Sequence, residues 1–129
     1  MSIQNEFWFA CNTGNLDKVK YLMETYKDTI LKTMYMKNKY EETLFYILCD
    51  RGYLDIIKYL ISECRDIIIS IMNISDIYKK TPFYMLCYKG HLDIIKYLIE
   101  NFHEEIIPSM YIRVNMEKHH CIDYVIMIM

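Results

Sequence analysis

The sequence predicts an all-α fold, a solenoid in which antiparallel helix pairs stack side by side. A ten-residue segment occurs three times in similar form, beginning at Gly14, Gly52 and Gly90, and its copies are 38 residues apart. The second and third copies share nine of ten residues, and apolar residues recur in each at helical spacing. A fixed period of this size is typical of repeat proteins, in which each unit buries its apolar face against the next.

One helix pair can be followed residue by residue in the third unit. Thr81 can accept a hydrogen bond from an unpaired N–H at a helix start, and Pro82 suits the first helical position. Helix A then runs to Gly90, where the chain reverses in a backbone conformation that glycine adopts easily. Beyond this turn, Asp93 lies in the first turn of helix B, where a negative charge suits the helix dipole. The two helices are therefore predicted to be antiparallel.

The length and composition favour one folded domain over residues 1–129. Hydrophobic residues make up 53% of the chain and charged residues 25%, which argues against a disordered chain. The formal net charge of −2 gives no long-range field to attract nucleic acid. No apolar stretch approaches the roughly 20 residues of a membrane-spanning helix. We expect neither a nucleic-acid nor a membrane partner.

The cysteines indicate a reducing environment. The chain has five, an odd number, and Cys11, Cys49 and Cys87 recur at the repeat period. Equivalent positions in successive units predict core residues rather than disulfide partners. The N-terminus has no basic segment ahead of an apolar run, so it does not indicate a secretory signal. We expect the protein in the cytoplasm, or in the nucleus by diffusion.

The stretch from residue 81 to residue 98 closely resembles the ankyrin repeat pattern TPLHxAxxxGHLxIVKxLL. The resemblance covers nearly the whole chain, with units of about residues 5–42, 43–80 and 81–118 and a partial C-terminal cap over residues 119–129. It implies an ankyrin-like solenoid of stacked antiparallel helix pairs with short finger turns. Asn73 and Asp76 fall where the family has the Asn and Asp that shape its finger.

The chain departs from this family pattern in the length of its units. Ankyrin repeats have about 33 residues, so each unit carries roughly five more, placed between helix B and the finger. In the second unit this stretch lies around residues 64–72 and is too apolar for a solvated loop. We expect a longer helix B, or an added turn that packs back on the stack.

Two substitutions also separate the chain from the family. The histidine of TPLH is replaced by Trp8, Tyr46 and Tyr84, so the resemblance does not carry over the inter-repeat hydrogen bonding associated with that histidine. The finger glycine is replaced by Glu41 and Lys79. The fingers are therefore expected to be tighter, shorter or differently angled than in the family.

No pattern in the sequence indicates an enzyme. His119, His120 and Cys121 are adjacent, and neighbouring residues cannot all reach one zinc ion tetrahedrally. No histidine recurs at the period of the cysteines to serve as a base for a thiol nucleophile. Three glycines 38 residues apart form no phosphate loop. We predict a non-catalytic protein with no metal, no cofactor and no small-molecule substrate.

The predicted function is protein–protein interaction, as a scaffold or adaptor. The resemblance implies a concave surface lined by the fingers and the finger-side ends of the A helices, and residues there differ between units while the frame repeats. Tyrosine and arginine at such positions are the residue types that dominate interface energy. We expect a monomer that binds a protein partner through Lys39, Tyr40, Glu42, Asp50, Arg51, Ile77, Tyr78, Lys80, Tyr88 and Lys89.

An alternative role is structural. The apolar C-terminal end, residues 125–129, could join further repeats of a longer array or a second copy of the chain. Short divergent repeats rich in Ile, Lys, Tyr and Asn also look like those encoded by AT-rich protists or large DNA viruses. That likeness implies adaptors against host proteins and adds the host-cell cytosol as a location.

Overall fold

The computed structural model describes residues 1–112. This part of the chain forms seven helices and no strand, which confirms the predicted all-α class. The partial C-terminal unit expected over residues 119–129 lies outside the described residues. The helices are α1 (Ile3–Asn12), α2 (Leu16–Thr25), α3 (Lys27–Thr33), α4 (Leu44–Arg51), α5 (Leu54–Ile71), α6 (Pro82–Lys89) and α7 (Leu92–Ile112).

Three helix pairs form the repeated frame: α1 with α2, α4 with α5, and α6 with α7. The A helices α4 and α6 begin as predicted, because the Thr43 and Thr81 hydroxyls each accept a hydrogen bond of 3.1 Å from the backbone N–H three residues on. At the turn after α4, Gly52 adopts a φ of 82°. A β-carbon there would meet the His91 ring of the next unit at 2.6 Å, so the turn needs glycine for space as well as for backbone conformation.

The extra residues of each unit form a third helical segment. Helix α2 ends before Tyr26, and both α5 and α7 are kinked at the equivalent residues of the later units, Cys64 and Phe102, where φ is −148° and −137°. The segment after the break in each of the first two units carries an equivalent isoleucine, Ile30 or Ile68, that is fully buried. Of the two alternatives expected for these residues, the first unit has an added segment separate from helix B, and the second and third units have a helix B that continues past a kink.

The core repeats with the same period. Phe7, Phe45 and Phe83 occupy equivalent positions in the three A helices and are at most 1% exposed. Full burial of a phenylalanine side chain contributes about 1.5–3 kcal/mol to stability. Because each ring packs in one continuous cluster with the B helices and the third segments, the core runs through all three units.

The outer surface of the B helices links neighbouring units through lysine–tyrosine contacts. The Lys20 ammonium lies 5.7 Å from the centre of the Tyr59 ring, and the Lys58 ammonium lies 5.2 Å from the centre of the Tyr97 ring. Each lysine belongs to one unit and each ring to the next. Such cation–π contacts contribute about 0.5–1 kcal/mol at exposed sites. These tyrosines serve the stack.

Candidate partner-binding face

The first finger, residues 38–42, is organised by one side chain. The Asn38 Oδ1 accepts hydrogen bonds from the backbone N–H groups of Tyr40 (2.9 Å) and Glu42 (3.0 Å). Glu41 takes the glycine position of the family with a φ of 61°, a conformation that costs a non-glycine residue on the order of 1 kcal/mol. The hydrogen bonds to Asn38 offset this cost.

The second finger, residues 76–80, has the same construction. The Asp76 Oδ1 accepts from the backbone N–H groups of Tyr78 (2.8 Å) and Lys80 (3.0 Å), and Lys79 has a φ of 63°. Both fingers therefore place a non-glycine residue in the left-handed region, at the position where the family pattern has glycine. Asn73, which the family pattern associates with this finger, donates to the carbonyl of Glu105 at 2.8 Å.

A hydrogen bond joins the A helix α4 to the second finger at the position of the missing histidine. The Tyr46 hydroxyl on α4 donates to the Asp76 Oδ2 at 2.6 Å, and both residues are buried. The two fingers are joined as well, since the Ile77 N–H donates to the Tyr40 carbonyl at 3.0 Å. The finger side of the stack is thus a fixed surface.

A first cavity of about 380 Å³ opens between the first finger and the A helices α1 and α4. Trp8 and Asn12 from α1 line one side, where Trp8 is half-buried. The other lining residues come from the first finger and from α4. They are Asn38, Tyr40, Glu42, Ile47, Asp50 and Arg51.

A second cavity of about 440 Å³ lies beside it and shares Asp50 and Arg51. Its remaining lining residues are Tyr53, Lys89 and His91. Tyr53 and His91 are equivalent residues that reach back to the preceding A helix. The Tyr53 hydroxyl donates to the Asn12 carbonyl at 3.4 Å, and the His91 Nε2 lies 3.0 Å from the Asp50 carbonyl. The two cavities therefore follow the seam between successive units.

The charged residues of the two cavities differ in how they are paired. The Lys89 ammonium lies 3.2 Å from the Asp50 Oδ1, an ion pair without the alignment of a hydrogen bond. The Glu42 Oε1 accepts from the Asn38 Nδ2 at 2.8 Å. The exposed Arg51 guanidinium has neither a hydrogen bond nor an ion pair with any residue from 1 to 108.

Half of the residues predicted from the sequence meet at these cavities. Tyr40, Glu42, Asp50, Arg51 and Lys89 line one or both of them. Six other lining residues are not among the ten predicted, although Asn12 lies at the end of an A helix, where variable residues were expected. The 38-residue register relates Asn38 to Asp76 and Trp8 to Tyr46, and this relation could have revealed Asn38 and Trp8. The six are Trp8, Asn12, Asn38, Ile47, Tyr53 and His91.

The other five predicted residues do not line these two cavities. The Lys39 ammonium lies 5.2 Å from the centre of the ring of its neighbour Tyr40. Ile77 and Tyr78 project from the second finger, 43% and 69% exposed. The last two surround Tyr84: the Lys80 ammonium is 4.5 Å from its ring centre, and Tyr88 makes an edge-to-face contact with it at 6.1 Å.

The comparison with protein families agrees with this architecture. The family model described as "Ankyrin repeats (3 copies)" matches residues 7–109. The chain belongs to the ankyrin repeat family. Ankyrin repeats are generally protein–protein interaction modules, and the family is generally non-catalytic. None of the curated proteins compared with the chain matches it.

The buried thiols of this ankyrin repeat chain are core groups. Cys11 and Cys49 are fully buried, as predicted, and Cys87 is 2% exposed. Burial raises the pKa of the Cys11 thiol to about 12 and that of Cys64 to about 11. It also raises the pKa of Cys49 well above its ordinary value. Because a thiol must lose its proton to act as a nucleophile, these three are unreactive at neutral pH.

Two further features of residues 1–112 bear on the class of site. No helix there combines the length and hydrophobicity needed to cross a lipid bilayer. Within the same range, His, Cys, Asp and Glu side chains form no group of three or more that could hold a metal ion. The adjacent His119, His120 and Cys121 lie outside the described residues.

Proposed function

We propose that this ankyrin repeat chain is a non-catalytic module that binds a partner protein on the face formed by its two fingers and its A helices. The observation that carries the proposal is the pair of adjoining cavities along this face. They are lined by side chains that differ from unit to unit, in a frame whose buried residues repeat. The proposal treats residues 1–129 as one domain with the unit boundaries given above.

Exposed aromatic rings on this face favour a protein as the partner. Tyr40, Tyr78 and Tyr88 are 44%, 69% and 49% exposed, and all three lie on the fingers or at the end of an A helix. Tyrosine buries a large area with little loss of side-chain entropy, and it is enriched among residues whose truncation costs about 2 kcal/mol or more. The ring positions and the cavities together offer both anchors and pockets.

The charge pattern of the face also fits a protein surface better than a polyanion. The cavities carry two acidic residues, Glu42 and Asp50, beside Arg51 and Lys89. A surface that binds nucleic acid presents a continuous basic stripe to the phosphates. The mixed charges instead resemble the polar rim of a protein interface. A monomeric adaptor or scaffold in the cytoplasm is the role that we propose.

Affinity capture with matched tyrosine variants tests this face. The tagged chain is used to capture partners from a source lysate, and each captured protein is then titrated against Tyr40→Ala, Tyr78→Ala and Tyr21→Ala. Tyr21 is 54% exposed on helix α2, so it controls for loss of an equally exposed ring elsewhere. We expect a roughly tenfold weaker affinity for the Tyr40 and Tyr78 variants, consistent with a modest anchor residue. A partner whose affinity changes only with Tyr21→Ala would place binding on the opposite face and refute the proposal.

A further inference from the structure

We propose that the Arg51 guanidinium is the recognition group for a carboxylate on the partner, so that the bound segment is an acidic peptide with an Asp or Glu side chain seated between the two cavities. This inference rests on the proposed function and specifies the chemistry of the partner. Arg51 is the residue to assign because it is the last residue of α4, is exposed, and lines both cavities.

The repeat register explains why the charge of Arg51 is uncompensated. Lys89 is the equivalent residue one unit later, and its ammonium is paired at 3.2 Å with Asp50 of the preceding unit. The residue equivalent to Asp50 in the first unit, which would pair with Arg51 in the same way, is Asn12, and its side chain is neutral. Arg51 and Asn12 line the same cavity, and the Asn12 amide donates to the Trp8 carbonyl at 3.0 Å. The first unit thus lacks the carboxylate that the register would provide.

Neither acidic residue of the cavities forms an ion pair with Arg51. Asp50 holds Lys89, and its backbone carbonyl lies 3.0 Å from the His91 Nε2. One oxygen of Glu42 accepts from Asn38. Among the residues that the structure describes, the Arg51 guanidinium is the charged group of these cavities that has no hydrogen bond or ion pair. Its N–H donors are therefore available to a carboxylate of the ligand.

The surroundings of Arg51 suit a peptide side chain. A guanidinium presents a planar fork that matches a carboxylate with two parallel hydrogen bonds, and it is more weakly hydrated than an ammonium. Trp8 and Tyr40 line the first cavity and Tyr53 the second, so apolar surface for neighbouring peptide residues lies on both sides. Charge complementarity fixes the position of the segment, and aromatic contacts hold it.

A selection of short random peptides displayed on phage, carried out on the full chain, tests the proposal. We expect the selected sequences to share an Asp or Glu. Selection on the Arg51→Glu variant should instead enrich Lys or Arg at that position. Trp8 is the single tryptophan of the chain and lines the first cavity, so its fluorescence reports binding of each selected peptide in solution.

Three substitutions make the assignment quantitative. Arg51→Gln should weaken binding of a selected peptide roughly tenfold, the size expected for one charge-assisted hydrogen-bonded contact. Asn12→Asp restores the carboxylate that the register predicts and should weaken binding by a similar factor without removing the arginine. Lys96→Gln makes the same change of charge at an exposed residue of helix α7 and should leave the affinity unchanged.

The outcomes separate this inference from the proposed function. Peptides that lose affinity with Tyr40→Ala but keep it within roughly twofold with Arg51→Gln would overturn the role of Arg51 and leave the binding face intact. Peptides unaffected by either substitution would refute both. A selection that enriches no acidic residue, or that enriches acidic residues equally on the wild-type chain and on the Arg51→Glu variant, also overturns the inference. Circular dichroism of each variant confirms that it is folded.

Discussion

The two junctions between neighbouring units share a backbone frame but differ in their side-chain bonds. At the second junction, between α4 and α6, the Tyr46 hydroxyl on α4 holds Asp76 of the finger that leads into α6 at 2.6 Å, and Lys89 holds Asp50 at 3.2 Å. At the first, between α1 and α4, the equivalent of Tyr46 is Trp8, whose side chain forms no such bond to the finger among the described residues. A cavity of about 380 Å³ remains between Trp8 and the first finger.

This difference shows how one repeat frame provides both cohesion and recognition. The buried phenylalanines and cysteines recur because every unit must fill the same space between its neighbours. Exposed polar side chains on the finger side are free to vary, since a missing bond at an open surface is replaced by water at little cost. The second junction uses these positions to tie units together, and the first leaves them open to a partner.

The largest effect is expected at the glycine turn of the second junction. Gly52→Ala would place a β-carbon 2.6 Å from the His91 ring in a residue with a φ of 82°. Left-handed strain of about 1–2 kcal/mol adds to overpacking of about 1–3 kcal/mol. Gly90→Ala carries the same strain at a φ of 75°, but no atom lies within 4 Å of the added carbon. Urea unfolding followed by circular dichroism should therefore show a loss about 1–3 kcal/mol larger for Gly52→Ala.

Equal losses in the two glycine variants would mean that the His91 ring moves aside freely. That outcome would contradict the tight second junction, because His91 reaches the Asp50 carbonyl across it. Gly14→Ala offers an independent check at the first junction, where the added carbon would lie 2.8 Å from the Tyr53 ring.

A smaller effect is expected from opening the second junction itself. Tyr46→Phe removes the donor to the Asp76 Oδ2 and leaves that carboxylate oxygen in a buried site, which should lower the free energy of unfolding by about 1.5–3 kcal/mol. Tyr53→Phe is the matched control at the first junction. Its hydroxyl makes a longer bond of 3.4 Å at a half-buried site, so we expect a loss below about 1 kcal/mol. Equal melting midpoints for the two variants would show that the junctions do not differ.

The repeat period predicted the frame because it is set by local chemistry. Threonine at a helix start and glycine at a turn act within four residues of the chain, so Thr43, Thr81 and Gly52 could be assigned from the sequence alone. The kinks in the B helices could not be assigned from the sequence in this way. Tyr26, Cys64 and Phe102 are not helix-breaking residues, and their backbone conformations are set by the packing of the segment that follows against the core.

The candidate site was predictable only in part, for a related reason. Exposed residues such as Tyr40 and Arg51 could be assigned to the face from their position in the unit. Whether a charged residue there is paired depends on the side chain of the preceding unit, as the contrast between Asp50 and Asn12 illustrates. The organising role of Asn38 was hidden because its neighbours lack turn residues, although the register relates it to Asp76.

Alkaline pH should weaken the second junction, with the smallest effect of the three changes. Burial raises the pKa of Tyr46 far above its ordinary value, and the hydrogen bond to Asp76 and the charge of that carboxylate raise it further. A raised pKa in the folded state contributes stability that is complete below the unfolded-state pKa, about 10 for tyrosine, and is lost as the pH rises above it. Between about pH 9 and pH 11 the wild-type chain should therefore lose about 1.4 kcal/mol more of its free energy of unfolding than Tyr46→Phe.

The buried thiols do not disturb this comparison. Burial also raises the pKa values of Cys11 and Cys49, so both proteins lose stability through these thiols from about pH 9, and the loss cancels in the difference. Parallel curves for the two proteins would mean that the Tyr46 hydroxyl ionises as freely in the stack as in the unfolded chain, which is incompatible with a closed second junction.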